Sequence, residues 1–270
     1  MTSRAYSAQR AGEVMLAAIA CAVVFLFLVL PVAAILEKAA HTDFFDEVTS
    51  SAVTDALRLS MVTTTMSLGL VVLFGTPLAY VMARTRFPGH AVVDTLIDLP
   101  IVLPPAVGGL GLLMVFGRRG WLGEPLDDLG VQVAFTTTAV VMAQTFVASP
   151  FYIRSARAGF EAAGQELEDV ARTLGSSRSG AFLRVAVPVA MPALTAGAVM
   201  AWARALGEFG ATIMFAGSIE GRTQTVPLAI YRQFETGIEA PLALSAVLVV
   251  VSFSVLLAFR LLTRRAALTL

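Results

Sequence analysis

The chain has 270 residues, of which 57% are hydrophobic and 14% charged, with a mean hydropathy of +0.80. A water-facing domain carries about 25% charged residues, so a soluble globular protein and a disordered chain are both excluded and a lipid-buried one is indicated. Nineteen basic residues balance nineteen acidic ones, without the basic surplus that a nucleic-acid partner demands. Cys21 is the only cysteine, and His41 and His90 stand far apart, so neither a disulfide framework nor a metal site is expected. The single lysine, Lys38, lies outside any Gly-x-x-x-x-Gly-Lys loop. If ATP powers this chain, another chain hydrolyses it.

A helix rises 1.5 Å per residue, so about 20 apolar residues cross a hydrocarbon core of about 30 Å. Six stretches qualify: 14–36, 58–82, 95–116, 131–153, 188–216 and 240–262. A lone strand would leave its backbone unpaired in lipid, so all six are expected to be helices of an all-α membrane protein. The first resembles a signal peptide, with Arg4 and Arg10 ahead of it, but its apolar run reaches Leu36 and is too long to be one. Placing the N-terminus in the cytoplasm puts twelve basic residues inside, six outside and Arg204 within a span. That bias obeys the positive-inside rule and puts both termini in the cytoplasm. The resulting organisation is a cytoplasmic 1–13, a transmembrane 14–262 with a cytoplasmic loop at 154–187, and a cytoplasmic 263–270. Eleven acids, among them Asp43, Asp46, Glu47, Asp127 and Asp128, fall outside.

The loop at 154–187 is the longest inside segment. Phe160, Leu167, Val170 or Ala171, and Leu174 recur at helical spacing, with Glu161, Glu166, Glu168 and Asp169 among them. Gly175 is placed to end that helix in a left-handed turn. Ser176, Ser177 and Ser179 can cap a second short helix, and Pro188 opens the next span. Taken alone, this reads as a solvated amphipathic hairpin joining two spans.

Here the sequence resembles the permease subunits of ABC importers. Their loop carries Glu-Ala-Ala, three residues, Gly, nine residues, then Ile-x-Leu-Pro. This chain has Asp169-Val170-Ala171, three residues, Gly175, nine residues, then Val185-Ala186-Val187-Pro188. The literal Glu161-Ala162-Ala163 fails, because its glycine would fall at Leu167. The stretches Leu99–Pro105, Ala203–Thr212 and Gly221–Tyr231 look like the molybdate branch of that family, close to its sulfate and tungstate branches. The resemblance implies a bacterial inner-membrane permease with an ABC importer fold. It implies that Asp169, Val170, Ala171, Gly175, Val185 and Pro188 couple the chain to an ATPase. It further implies a second copy of this chain, two ATPase subunits that bind the ATP and Mg, and an extracytoplasmic substrate-binding protein. No cofactor belongs to this chain itself, and its other partner is membrane lipid.

Intramembrane charges are costly and usually purposeful. Arg204 and Glu208, four apart, can pair on one helix face, either to lock the bundle or to charge a gate. Pro104, Pro105 and Gly108 mark the third span as a bent packed helix or as a broken one lining a path. With Thr212 they form the candidate translocation path. Thr136, Thr137, Thr138 and Gln144 are further polar groups, although threonines in spans commonly bond their own backbone. A proton- or sodium-driven carrier is the rival reading, with Asp98 as its candidate carboxylate. An intramembrane enzyme finds no nucleophile–base pair.

Overall fold

The computed structural model describes residues 2–41, 44–235 and 237–267, with side chains from Glu13 to Leu261 except 45–47. Asp43 and the side chains of Arg4, Arg10, Asp46, Glu47, Arg264 and Arg265, used above for topology, lie outside the described set.

Every regular element among the described residues is helical. They are α1 (Thr2–Ala40), α2 (Phe44–Thr49), α3 (Ser51–Arg84), α4 (His90–Val102), α5 (Pro105–Phe116), α6 (Gly123–Asp128) and α7 (Thr137–Ala163). Then come α8 (Glu166–Thr173), α9 (Arg178–Ala181), a π turn (Phe182–Ala186), α10 (Val187–Leu206), α11 (Gly210–Ala216), α12 (Val226–Phe234) and α13 (Glu239–Ala267).

Among the described residues, four helical stretches are long and apolar enough to cross a membrane: Glu13–Ala40, Ser51–Arg84, Arg178–Leu206 and Glu239–Leu261. The first of these has none of its apolar window buried and packs along α13, as a lipid-facing helix does. The paired α4 and α5 would make a fifth crossing, but they bend by 115° at the break between them. The fourth expected span is α7. Its 27 residues, about 40 Å of helix, mix Gln144, serines, threonines and Arg154 with apolar side chains. Its buried positions run right round the helix, because it lies between α3 and α10. A helix walled in by other helices does not need a lipid-facing apolar surface.

One expected span needs correction, and another takes one of its two expected forms. The third is the broken helix rather than the merely bent one. Leu103, preceding a proline, is extended at ψ 134°, Pro104 follows at ψ 130°, and Pro105 opens a new helix. Neither proline can donate to the turn before it, and each disfavours helix in its predecessor. The fifth ends at Leu206 rather than 216. Gly207 to Phe209 form a turn, and α11 starts afresh at Gly210.

Among the described residues the core has three parts. Val71 and Ala79 of α3, Tyr152, Ala156 and Phe160 of α7, and Ala190, Leu194 and Ala201 of α10 form the largest. A second joins Ala139, Val140 and Ala143 of α7 to Ala211 and Phe215 of α11. A third, with Val53, Ala56, Val226 and Leu244, ties α3 to α12 and α13. A buried polar seam crosses between α3 and α7. Ser60, Thr63, Thr64 and Ser67 recur at helical spacing on α3 and are all 0% exposed. Gln144 donates to Thr64 at 3.4 Å, Thr145 to Ser67 at 3.1 Å, and the Val226 N–H to Ser60 at 2.8 Å. Such hydroxyl contacts hold helices together where lipid supplies no hydrophobic drive.

Candidate functional site: the hairpin and the broken-helix pair

The expected hairpin is present, with different limits. Residues 154–163 still belong to α7, which ends at Gly164 with φ +67°. Helix α8 then ends as the spacing predicts. Gly175 adopts φ +91°, its N–H bonds the Arg172 carbonyl, and the Ser176 N–H bonds the Ala171 carbonyl. That pair of bonds is a Schellman cap. Ser177 caps α9, its hydroxyl accepting from the Gly180 N–H at 3.1 Å. Val185 lies in the π turn and Pro188 in the first turn of α10. An added Cβ on Gly175 would meet nothing within 4 Å, so only its left-handed backbone resists substitution. Gly175→Val should therefore strain the cap by about 1–2 kcal/mol and shift the hairpin without preventing membrane insertion. The check is loss of uptake and of ATPase co-purification at normal membrane abundance.

Helix α8 has an inverted face. Leu167, Val170 and Leu174 are 51%, 57% and 83% exposed, while the charged Glu168 is 5% exposed. Asp169 also points outward and makes only a loose pair with Arg172 at 3.6 Å. Three apolar side chains are thus left exposed together on so short a helix, as at a protein–protein contact, while Asp169 lies on another side, at the cleft that Glu168 also lines. Phe160, expected on this face, is 0% exposed in the core instead, because the break at Gly164 turns α8 away from α7.

Glu168 was only one acid among several in the sequence, yet the structure gives it the densest bonding. Arg84 Nε and Nη2 donate to Oε1 at 2.9 and 2.7 Å, and the Tyr80 hydroxyl donates to Oε2 at 2.5 Å. Arg84 also donates to the carbonyls of Phe160 at 2.7 Å and Gly164 at 2.6 Å, acceptors that the end of α7 leaves free. Between α4 and α7, Arg154 binds Asp98 at 2.6 Å, and Arg157 binds both Asp94 and Glu161. Asp98 therefore lacks the unpaired state that a proton- or cation-driven carrier would need.

The candidate path residues gather elsewhere, beyond the 20 residues and about 30 Å of α10. Pro104 is exposed at the bend, and Pro105 heads α5. Gly108 faces the ring of Phe146. Glu208 is not on the same helix as Arg204, as first expected, but one residue past its C-cap. The pair still forms, because Gly207 continues the turn at φ −86° and ψ 11°. Arg204 Nη1 sits 2.7 Å from Glu208 Oε2, and Oε1 accepts the Ala211 N–H at 2.8 Å. Thr212 is fully buried, and its hydroxyl has no hydrogen-bond partner among the described residues. Helices α5 and α11 touch backbone to backbone: a Cβ on Gly109 would lie 2.5 Å from the Ala211 carbonyl oxygen, and one on Gly210 2.9 Å from Pro105. Thr136 bonds its own backbone, donating to the Val133 carbonyl and capping α7 through the Ala139 N–H, whereas Thr137 departs from that expectation and donates to the distant Arg222 carbonyl. At the same end Arg118, followed by Gln132, hydrogen-bonds Asp127 and holds its carboxyl below the usual range.

The profile of binding-protein-dependent transport system inner membrane components matches residues 75–268. The chain belongs to that family. It is 44% identical over 231 residues to a Mycobacterium bovis protein named molybdenum transport system permease protein ModB, covering 86% of this chain and 88% of that one. It is 34% identical over 237 residues to a probable sulfate transport system permease protein of Nephroselmis olivacea, covering 86% and 83%. Its fold matches a bacterial alginate ABC transporter crystallised with an alginate-bound periplasmic protein, at a TM-score of 0.67, 17% identity and 98% coverage of both chains. An inner-membrane, multi-pass permease fold follows.

Proposed function

We propose that this chain is the membrane-spanning subunit of an ATP-driven importer of molybdate. The observation that carries the substrate class is the 44% identity, over most of both chains, to a molybdenum permease. The outward apolar face of α8 is the docking surface for a separate ATPase, which binds the ATP and Mg. The chain itself performs no chemistry. One hairpin per chain and the paired working of ABC ATPases suit two copies of this chain with two ATPases. Both termini face the cytoplasm, on the arginine-rich side. ATP binding draws the ATPases together and drags the hairpins, and the spans exchange inward- and outward-open states. To shift that equilibrium from 1:99 to 99:1, nucleotide must favour one state by about 5.5 kcal/mol.

The outer segments hold eleven acids against six bases, a field that repels free oxyanions. An extracytoplasmic binding protein therefore delivers the substrate, as the alginate relative's periplasmic partner suggests. Vesicles with permease and ATPase alone should import almost nothing at micromolar substrate, and full-rate import without the binding protein would refute this step.

Sulfate is the second reading, favoured by the 34% identity to a sulfate permease. Competition decides between them. Tungstate should block molybdate uptake at equal concentration while sulfate leaves it unchanged; equal block by sulfate would establish the second reading.

A further inference from the structure

We infer that Arg84, through Glu168 and Tyr80, is a positioning residue that fastens the coupling hairpin sideways to α3, so that movement of the hairpin displaces α3 directly. This rests on the coupling reading of the hairpin given above.

Chain connectivity joins the hairpin only to α7 and α10. Nothing in the covalent path links it to α3, whose last turn lies more than 80 residues away in sequence. The Arg84 guanidinium makes that link. It holds the Glu168 carboxylate of α8 and, with its remaining N–H groups, the carbonyls of Phe160 and Gly164 at the end of α7. Three elements thus meet on one planar cation. A guanidinium is a rigid fork, and only one relative placement of the three satisfies all four bonds. Tyr80, one turn earlier on α3, takes the second carboxylate oxygen and packs edge-on against Phe160 and Phe182, the latter in the π turn that leads into α10.

Energetics argue that this cluster serves geometry. Arg84 and Glu168 side chains are 10% and 6% exposed. A buried ion pair is commonly no more stabilising than an apolar pair of the same size, and its presence on an eight-residue helix points to registry. The surroundings leave room for a different placement. A cleft of about 550 Å³ opens beside the cluster, between α3 and the hairpin, lined by Arg84, Glu168, Asp169, Arg172 and Phe182. Packing alone does not fix α8 against α3 there.

The test uses the full transporter, with its ATPase and binding protein, in vesicles. The readout is molybdate moved per ATP hydrolysed, a ratio that a purely structural role leaves unchanged. Arg84→Met/Glu168→Leu removes both charges together and leaves no buried ion unpaired. It should insert, retain the ATPase through Leu167, Val170 and Leu174, and hydrolyse ATP, while the ratio falls about tenfold. A normal ratio overturns the inference. If that double variant fails to reach the membrane, Tyr80→Phe decides, since it removes one hydroxyl and keeps the ion pair. Its ratio should fall about threefold, and an unchanged ratio overturns the inference. A parallel arm separates failure of the underlying reading. In a Cys21→Ser background, Ser176→Cys should cross-link to the ATPase. If it does not, the hairpin is not the coupling element and the inference falls with it; if it does and the ratio stays normal, only the tie to α3 is wrong.

Discussion

Arg204→Ala is expected to destabilise the folded chain by about 3–5 kcal/mol, more than Gly175→Val on the hairpin. Glu208 is 1% exposed, and its carboxylate is held by Arg204 on one side and the Ala211 N–H on the other. Without the guanidinium, a buried anion keeps one hydrogen bond. Glu208→Gln should be milder, because its amide oxygen can still accept from Ala211 and Arg204 is partly exposed. Arg204→Ala/Glu208→Ala should recover part of the loss, since no charge is left behind. Thermal unfolding of the detergent-solubilised protein measures all three. Normal stability in Arg204→Ala together with an altered oxyanion preference would place the arginine in the substrate path instead.

Gly109→Ala should be nearly as damaging. Its new Cβ would lie 2.5 Å from the Ala211 carbonyl oxygen and 2.7 Å from its Cα, and backbone cannot swing aside. Overpacking of this kind costs about 1–3 kcal/mol, and it parts α5 from α11 where the two broken helices meet. Gly111→Ala, two residues on, meets nothing within 4 Å and is the control. Gly108→Ala should fall between, because the edge of the Phe146 ring can move. The measurement is unfolding temperature and uptake for the three variants. Equal behaviour of Gly109→Ala and Gly111→Ala would mean that α5 and α11 do not touch in the working protein.

These two predictions concern the region least legible in the sequence. The bend at Pro104–Pro105 could be read directly, because consecutive prolines remove two backbone donors. The break after Leu206 could not. The apolar run continues through Phe209 to Ala216, and Gly207 and Gly210 are individually tolerated in helices, so hydropathy joins what the close approach of Pro105 separates. The hairpin shows the same division. Gly175 declared the Schellman turn by its place after Leu174. Residues 169–171 followed by that glycine carried the resemblance to ABC permeases. Glu168, adjacent to the motif, gave no sign that it faces inward, since its partners sit 84 and 88 positions away. Phe160 was misplaced because the periodicity of α7 and α8 runs in phase across Gly164. The apolar spans themselves were plain from length, apart from α7, whose polar residues are explained only by the helices that enclose it.

The most direct test of the account is molybdate uptake into vesicles that contain this chain, a co-expressed ABC ATPase and a molybdate-binding protein. Uptake should require ATP, stop with vanadate, and persist when proton and sodium gradients are collapsed. Uptake that continues without ATP and disappears when those gradients are removed would contradict it.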